Sequence, residues 1–389
     1  MASYPGDDLE LTLLIPCLNE ARTLPGCITE AQQGLQSLGV AGEIVVADNG
    51  STDGSQEIAT AHGARVVMIS LRGYGHALSG GIAAARGRYV IMADGDGSYD
   101  FRESGRLLAL LQADCDLVIG NRFDGGIQPG AMPWKNRYLG NPVLSALGRM
   151  LFGMKVRDFH CGLRGGSKAA LVRLDLHTGG MEFASEMPIK AALLGLRIGE
   201  TPVTLRRDGR DRPPHLRPWR DGWRHLRFML LFSPQWLFLY PGLALLTIGA
   251  TGFIFLLSGP VRVAGLRFDV HTLLYAAAAV LCGFQACAFA VISKTFVIEA
   301  GLAPATPRAR SRLERLNVES CLIAAGFLAL LGVALSLNAF CLWGSGRFGD
   351  LIPTQMLRWV VPAITSLILA TQLALGGFFL GLIRLRLRR

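Results

Sequence analysis

Four long apolar stretches occupy the C-terminal part of the chain and limit its fold more than any other feature. They cover residues 236–257, 272–298, 319–343 and 359–383. Each is close to the roughly 20 residues that an α-helix needs to cross a bilayer. Aromatic side chains, which favour the membrane–water interface, lie at their borders: Trp236, Tyr240, Trp343 and Trp359. The sequence therefore predicts an integral membrane protein with four transmembrane helices.

The charges of the connecting loops predict the orientation of these helices. Arginines are concentrated between the second and third stretches and after the fourth, at Arg308, Arg310, Arg312, Arg315, Arg384, Arg386, Arg388 and Arg389. Basic loops stay on the cytoplasmic side, and an even number of spans places both termini there. The start of the chain, MASYPGDDLE, lacks the basic and apolar regions of a cleaved signal peptide. We therefore expect a bacterial inner-membrane protein whose N-terminal domain is cytoplasmic.

The basic loops also explain the excess of Lys and Arg over Asp and Glu, 39 against 29. Because such loops contact anionic lipid headgroups, nucleic acid is not an expected partner. The oligomeric state stays open, and the sequence is compatible with a homo-oligomer.

Short apolar runs alternate with helical patterns before the membrane part. The predicted strands are 11–18, 43–48, 65–70, 88–93 and 116–120, and helices lie near 22–38, 53–62, 76–86 and 101–112. This alternation is typical of an α/β domain with a mostly parallel sheet. We predict such a domain over 1–213, an amphipathic juxtamembrane helix over 214–235 and a transmembrane domain over 236–389.

Polar motifs follow three of these strands. They are Pro16-Cys-Leu-Asn-Glu20, Asp48-Asn-Gly-Ser-Thr-Asp53 and Asp94-Gly-Asp96. Ligands of open α/β sheets bind at the carboxyl ends of the strands, so these motifs are expected in one crevice. Asp94 and Asp96 suit Mg²⁺ or Mn²⁺, which typically bridges protein carboxylates to a diphosphate. An ordinary acidic turn is the other interpretation of this pair.

The motifs, in this order and spacing, resemble the family 2 glycosyltransferases of GT-A fold. Within that family the chain is similar to the polyprenyl-phosphate sugar transferases, which include dolichyl-phosphate mannose synthases. The resemblance covers roughly residues 9–230. Its later part rests on Gly120-Asn-Arg122, Arg137 and Asp158-Phe-His-Cys-Gly-Leu-Arg164.

The resemblance implies a nucleotide-sugar donor, a divalent metal and a polyprenyl phosphate acceptor, and it implies roles for individual positions. Nucleotide contacts fall on Pro16, Leu18, Asn19, Glu20, Asp48, Asn49, Gly73, Asp94 and Gly95. The metal ligands are Asp94 and Asp96. The catalytic set is Asp96, Arg122, Arg137 and Arg164. The acceptor and diphosphate groups would meet Arg122, Arg137, Arg206, Arg210 and Arg212. Leu18 and Asn49 replace the family's usual Tyr and Asp, which leaves UDP and GDP open.

Two amphipathic segments are predicted to lie at the membrane surface. The first covers 134–152 and includes Arg137, and the second contains Trp219 and Trp223 beside Arg220, Arg224 and Arg227. Apolar and basic stripes of this kind are typical of interfacial helices. A helix packed on the soluble domain shows the same pattern and remains the alternative.

The acceptor decides the mechanism, because a phosphate is already ionised whereas a hydroxyl acceptor needs a general base. The arginines favour an inverting transfer to a phosphate. Two alternatives stay open: a processive polysaccharide or glycolipid synthase acting on a hydroxyl, and an inactive scaffold or lipid transporter. Glu182 and Glu186, one helical turn apart, either contact the donor or complement a helix N-terminus.

Overall fold

The computed structural model describes residues 9–210, 218–300, 311, 313 and 315–387 of the 389-residue chain. It divides into two compact units between Met229 and Leu230, and each is described by itself. Several predicted basic residues lie outside the described part of the chain: Arg212, Arg308, Arg310, Arg312, Arg388 and Arg389.

A seven-stranded sheet forms the centre of the first unit. Its strands are β1 (Leu11–Cys17), β2 (Gly42–Asp48), β3 (Arg65–Met68), β4 (Tyr89–Met92), β5 (Leu117–Asn121), β6 (Arg164–Ser167) and β7 (Ile198–Pro202). They are arranged in the order β3-β2-β1-β4-β6-β5-β7. All pairs are parallel except those that β6 makes with β4 and β5. The prediction of a mostly parallel sheet is confirmed.

The sequence explains the central strands better than the later ones. All seven residues of β1 (Leu-Thr-Leu-Leu-Ile-Pro-Cys) are buried, as expected of a parallel strand covered on both faces. The structure adds β6 and β7, which the sequence analysis did not predict. Their sequences, Arg-Gly-Gly-Ser and Ile-Gly-Glu-Thr-Pro, show neither an apolar run nor regular alternation. Pairing with neighbouring strands decides their conformation.

Helices and short helical turns cover this sheet. They are α1 (Leu24–Leu38), α2 (Ser55–Ala61), α3 (Tyr74–Ala84), α4 (Ser104–Gln112), α5 (Arg122–Gly125), α6 (Asn141–Phe152), α7 (Lys168–Arg173), α8 (Phe183–Leu193) and α9 (Pro218–Leu231). A 3₁₀ turn, Phe101–Glu103, precedes α4, and a π-helical turn, Asn136–Gly140, leads into α6. Helix α1 ends at Gly39, whose φ of 63° is the left-handed conformation that favours glycine.

The second unit contains the four predicted transmembrane helices. They are α10 (Tyr240–Leu257, preceded by the π-helical turn Gln235–Leu239), α11 (Val270–Glu299), α12 (Val318–Ser345) and α13 (Pro353–Leu387). All four are long and apolar enough to cross a membrane. A small hairpin of β8 (Val261–Val263) and β9 (Leu266–Phe268) joins α10 to α11. The fourth helix begins six residues before the predicted span. The added residues include polar Thr354, Gln355 and Arg358, which a search for apolar stretches does not include.

Close contacts at small residues and an ion pair of Asp269 connect helices of this bundle. A Cβ at Gly283 of α11 would lie 2.5 Å from the backbone nitrogen of Leu246 in α10, so glycine permits the close approach of these helices. At the start of α11, Asp269 Oδ1 lies 2.6 Å from Arg358 Nη2 of α13. The guanidinium of Arg358 also donates to the carbonyl of Leu256. These contacts connect α10, α11 and α13 at one end of the bundle.

Candidate active site

The carboxyl ends of β2, β1 and β4 form one crevice, and Asp48 ends β2. Its Oδ2 accepts hydrogen bonds from the backbone nitrogens of Gly50 and Ser51 at 3.0 and 3.1 Å and from Gln56 Nε2 at 2.8 Å. The other oxygen, Oδ1, is buried and has no hydrogen-bond partner among the described residues. A buried acceptor of this kind is costly unless a ligand donates to it. Asp48 therefore has one carboxylate oxygen available to a ligand.

Two asparagines shape the loops around Asp48. Asn19 has a positive φ of 57°, and its Oδ1 accepts from the backbone nitrogen of Thr52 at 2.8 Å. Asn49 Nδ2 donates to the carbonyl of Leu71 at 2.7 Å, and its Oδ1 accepts from Gly73 N at 2.6 Å. Backbone groups therefore occupy both ends of this amide and support the loop, and the nucleotide contact of Asn49 stays a prediction.

At Gly73, the backbone of this loop makes a very close contact with another loop. Its φ is 138°, and a Cβ there would lie 2.2 Å from the carbonyl oxygen of Gly179. Only glycine fits such a close approach of two backbones. The loop that precedes α3 therefore packs directly on the loop that precedes α8.

Asp94 and Asp96 lie immediately after β4. Asp94 Oδ1 accepts from the hydroxyl of Tyr74 at 2.9 Å, and Asp96 Oδ1 accepts from the backbone nitrogen of Ser98 at 3.0 Å. Burial raises the pKa of Asp94 to about 6, and repulsion by the nearby Asp96 carboxylate contributes to the shift. Two mutually repelling carboxylates are a suitable donor set for a hard divalent cation. No group of three or more His, Cys, Asp or Glu ligands occurs in the described ranges.

Arg210, which follows β7 in the chain, is brought to this pair. Its Nη1 lies 3.1 Å from Asp96 Oδ2, and its Nη2 lies 2.7 Å from Glu20 Oε1. The neighbouring Gly209 donates its backbone N–H to the carbonyl of Asp96 at 2.9 Å. Thus the structure groups three residues that the sequence analysis selected separately: Glu20, Asp96 and Arg210.

Arg122, in contrast, is inside the domain. Its Nε and Nη2 donate to the two carboxylate oxygens of Asp158 at 2.6 and 2.7 Å, and Asp158 is fully buried. Burial and pairing in this arrangement are typical of a structural ion pair. Asp158 therefore holds the Arg122 guanidinium, and the direct contact of Arg122 with an acceptor phosphate stays a prediction.

Arg164 and Arg206 are also engaged by the protein. Arg164 is buried, and its guanidinium donates to the backbone carbonyls of Cys161 and Ala184. Arg206 pairs with Glu30 at 2.7 Å and with Asp100. These partners stabilise the surrounding backbone and loops, and the catalytic role of Arg164 and the phosphate contact of Arg206 stay predictions.

Arg137 lies on an exposed apolar surface. Trp134 and Tyr138 are 69% and 60% exposed, and the Arg137 guanidinium lies 5.5 Å from the centroid of the Tyr138 ring. The following helix, α6, is anchored through its other face, where Ser145 Oγ accepts from Phe159 N. Both interpretations of segment 134–152 therefore have support, because one face is packed and another is exposed.

The two glutamates at the start of α8 differ in their surroundings. Glu186 pairs with Lys190 at 2.7 Å and accepts from the backbone nitrogen and hydroxyl of Thr178. It is therefore structural. Glu182 Oε2 is buried without a hydrogen-bond partner in the part of the chain that the structure describes. Only the tertiary structure distinguishes these two residues.

A buried chain of polar side chains connects α8 to α9. His160 Nε2 lies 3.0 Å from Ser185 Oγ, which lies 2.8 Å from His225 Nδ1. Burial lowers the pKa of His225 to about 4 and lowers that of His160 well below its usual range, so both rings are neutral at pH 7. No sequence pattern indicates this chain, because its members lie far apart in sequence and form no motif.

Helix α9 shows one packed face and one exposed face. Asp221, His225 and Met229 recur every fourth residue and are buried, whereas Trp223 is 59% exposed. Two of these three packed residues, Asp221 and His225, are polar, which explains why the apolar pattern of the sequence did not reveal this face. The interfacial placement of this helix stays a prediction.

Comparisons with known proteins agree with this architecture. Residues 12–174 match the family model described as glycosyl transferase family 2, and residues 291–384 match the glycosyltransferase family 2 C-terminal transmembrane region. The low-salt glycan biosynthesis hexosyltransferase Agl6 of Haloferax volcanii is 35% identical over 373 residues, which are 95% of this chain and 88% of that protein.

Further relatives match the N-terminal part. The dolichyl-phosphate hexose transferase of Haloferax volcanii is 29% identical over 53% of this chain and 86% of its own length. The polyprenol monophosphomannose synthase of Mycolicibacterium smegmatis is 29% identical over 50% of this chain and 76% of its length. Among solved structures, glucosyl-3-phosphoglycerate synthase from Mycobacterium tuberculosis, in complex with Mn²⁺ and UDP, matches with a TM-score of 0.47 and 23% identity over 58% of this chain and 80% of that one.

The extent of the Haloferax match and the two family models decide the assignment. The relative covers both units, and the models match the sheet-containing part and the last helices separately. The chain therefore belongs to glycosyltransferase family 2, as an integral membrane glycosyltransferase with a GT-A catalytic domain followed by the family's C-terminal transmembrane region.

Proposed function

We propose that this protein transfers a hexose from a UDP- or GDP-linked donor to a polyprenyl phosphate at the cytoplasmic face of the membrane. One observation carries the choice of acceptor: Arg137 lies on an exposed aromatic surface, in a chain with four membrane-spanning helices. A lipid phosphate combines an anionic headgroup with an apolar chain, and this surface offers a partner for each. Relatives named for transfer to dolichyl phosphate and polyprenol support the same acceptor.

The donor would lie along the crevice from Asp48 to Asp96. The free Oδ1 of Asp48 is suited to accept from a base or ribose. Asp94 and Asp96 would hold Mg²⁺ or Mn²⁺, which when bound neutralises charge that develops on the departing diphosphate. The Arg210 guanidinium lies 3.1 Å from the Asp96 carboxylate and therefore close to the proposed position of the diphosphate. It would exchange its contact with Asp96 for one with the diphosphate.

The proposed reaction is a single displacement. An oxygen of the acceptor phosphate attacks the anomeric carbon, the bond from that carbon to the diphosphate oxygen breaks, and the configuration is inverted. The acceptor oxygen is already ionised, so no proton needs to be removed. The contribution of the protein is therefore to orient both phosphates, for which Arg137 and Arg210 are the proposed cations.

A hydroxyl acceptor is the second candidate, and Glu182 is the observation that favours it. The buried Oε2 of this carboxylate has no partner among the described residues, so it is available as a general base. A glycolipid or polysaccharide synthase would need such a group. The phosphate acceptor needs no base, so only the hydroxyl reaction would depend on Glu182 for removal of a proton.

The test is a donor and acceptor screen with the purified full chain in detergent. Undecaprenyl phosphate, dolichyl phosphate and the matching free alcohols would each be incubated with Mn²⁺ and radiolabelled UDP-glucose, UDP-N-acetylglucosamine or GDP-mannose. We expect a chloroform-soluble product with a phosphate lipid only, and none with Asp96→Asn. Product with an alcohol alone would replace the proposal by the hydroxyl reaction. No turnover of any donor would favour an inactive scaffold or lipid transporter.

A further inference from the structure

The strand order defines a direction along the crevice. Asp48 ends β2, Asp94 follows β4, and β6 is the next strand beyond β4. Because β6 is antiparallel to β4, the start of β6 lies beside the end of β4, with Arg164 opposite Met92. Neighbouring strands are roughly 5 Å apart. A donor with its nucleoside at β2 and its diphosphate at β4 would therefore extend its sugar over the start of β6.

The turn before β6 forms one side of this position. A Cβ at Gly162 would lie 2.6 Å from Asp94 Oδ2, and the backbone nitrogen of Gly162 donates to the hydroxyl of Tyr99 at 2.8 Å. The turn is thus fixed against the carboxylate. His160 lies two residues earlier, and Ser185 holds its Nε2 at 3.0 Å. Its Nδ1 is buried and unpaired within the described chain.

The start of α8 forms the other side. Phe183 makes an edge-to-face contact with Tyr74, with 6.5 Å between ring centroids, and the Tyr74 hydroxyl donates to Asp94. The preceding loop is fixed as well, because Gly75 N donates to the carbonyl of Gly179 at 3.0 Å. Glu182 lies between this loop and Phe183. Its Oε2 is another buried atom for which the described residues provide no partner.

The chemistry of these two atoms indicates what they bind. Buried polar atoms are nearly always hydrogen-bonded, so each unpaired atom marks a candidate ligand contact. Ser185 connects the two residues, because its backbone nitrogen donates to the carbonyl of Glu182 at 2.9 Å and its hydroxyl lies 3.0 Å from His160 Nε2. A carboxylate oxygen only accepts, whereas an imidazole Nδ1 donates or accepts according to its tautomer. Sugar hydroxyls both donate and accept, so they match this combination. A phosphate would be repelled by Glu182.

We infer that Glu182 and His160 form the subsite that binds hydroxyl groups of the donor sugar and distinguishes the nucleotide sugar from the free nucleotide. This inference rests on the proposed function, since it assumes a nucleotide-sugar donor. Ser185 is a positioning residue in this arrangement, because its hydroxyl lies 3.0 Å from His160 Nε2 and orients the ring.

Calorimetric titration of the full chain in detergent tests this assignment. UDP, UDP-glucose, GDP and GDP-mannose would each be titrated with Mn²⁺ into the wild-type protein, Glu182→Gln and the control Glu57→Gln, an exposed position on α2. We expect the affinity of Glu182→Gln for the bound nucleotide sugar to fall about tenfold to hundredfold, while the affinity for the corresponding nucleotide stays unchanged. The control should match the wild type for both ligands.

The other outcomes are distinguishable. An equal loss for nucleotide and nucleotide sugar would overturn the sugar subsite and make Glu182 a structural residue. Unchanged binding of both ligands with a turnover loss of about 10²- to 10⁴-fold would also overturn it and identify a general base. A wild-type protein that binds none of these ligands would reject the proposed function instead. If Glu182→Gln does not fold, His160→Gln in the same titration decides, and selective loss of sugar binding is again the expected result.

Discussion

Arg210 Nη1 lies 3.1 Å from Asp96 Oδ2, so one carboxylate of the proposed metal pair is neutralised by a cation of the protein itself. The same guanidinium pairs with Glu20 at 2.7 Å. Since a metal ion would carry its own positive charge to this place, we expect Arg210 and the proposed metal to compete for Asp96. If a metal binds to Asp96 as proposed, we expect this ion pair to weaken.

Removal of this competition should strengthen metal binding. We predict that Arg210→Gln binds Mn²⁺ several-fold more tightly than the wild type in the absence of a donor, because Asp96 no longer has a competing cation. Electron paramagnetic resonance of free Mn²⁺ in the presence of the full chain measures this directly. Arg207→Gln is the matched control, because Arg207 is exposed and bonds the carbonyl of Pro129 instead. Equal Mn²⁺ affinities in wild type and Arg210→Gln would contradict the competition.

Asp96 itself should be essential. Asp96→Asn removes a charge from the proposed metal pair, and we expect turnover to fall by about three orders of magnitude or more, with loss of Mn²⁺ affinity. The assay is transfer of radiolabelled sugar, with Mn²⁺ binding measured on the same preparation. Asp114→Asn, on the exposed surface, should keep both properties. Wild-type turnover in Asp96→Asn would remove this residue from the metal site.

The buried pair of Arg122 and Asp158 should govern stability. Asp158→Asn leaves the Arg122 guanidinium buried without its anionic partner, and we expect a loss of about 3–5 kcal/mol in the free energy of unfolding. Denaturant unfolding of the full chain in detergent, followed by tryptophan fluorescence, measures the change. Asp114→Asn breaks an exposed pair with Arg197 and should cost about 1 kcal/mol or less. Similar losses of unfolding free energy in the two variants would show that breaking the buried Arg122 pair is no more destabilising than breaking an exposed pair.

His225 should make the stability depend on pH. Burial lowers its pKa from 6.5 to about 4, so the folded state disfavours the protonated ring. Its contribution is complete above pH 6.5 and is lost as the pH falls towards 4, where the unfolded chain binds the proton more readily. We expect a loss of about 2–3 kcal/mol between pH 7 and pH 4.5 from this residue.

The matching measurement is denaturant unfolding at both pH values for wild type, His225→Gln and the exposed control His62→Gln. His225→Gln should show a smaller loss on acidification, and His62→Gln should follow the wild type. The same pH dependence in His225→Gln and wild type would exclude His225 as the source. Part of the pH dependence should remain in His225→Gln, because burial also lowers the pKa of His160.

Patterns within a short stretch of sequence predicted much of the fold. The run Leu11–Cys17 is apolar because a parallel strand is buried on both faces, and Asp94 and Asp96 follow β4 directly, so their place at the crevice was predictable. The later strands were not predicted. Arg164–Ser167 contains two glycines and forms a strand only because β4 and β5 pair with it on either side.

The candidate site was likewise predictable only in part from the sequence. The sequence identified Glu20 and Arg210 as separate candidates, 190 residues apart, but only the folded chain brings them to 2.7 Å. It also treated Arg122 and Arg137 alike, whereas the structure buries the first against Asp158 and leaves the second beside the exposed ring of Tyr138. A charged residue type does not reveal its partner, and the partner decides whether the charge is available to a ligand.

By itself, the sequence determined that this protein has four membrane-spanning helices, an α/β domain before them and an acidic pair at a strand end. Each of these follows from hydrophobic periodicity or from residues close together in the chain. Tertiary structure decided which charges are free. It paired Arg122, Arg164, Arg206 and Glu186 internally, and it left Glu182 Oε2 and His160 Nδ1 without partners among the described residues. The reason is physical: burial and hydrogen bonding depend on contacts between distant segments, which no local pattern records.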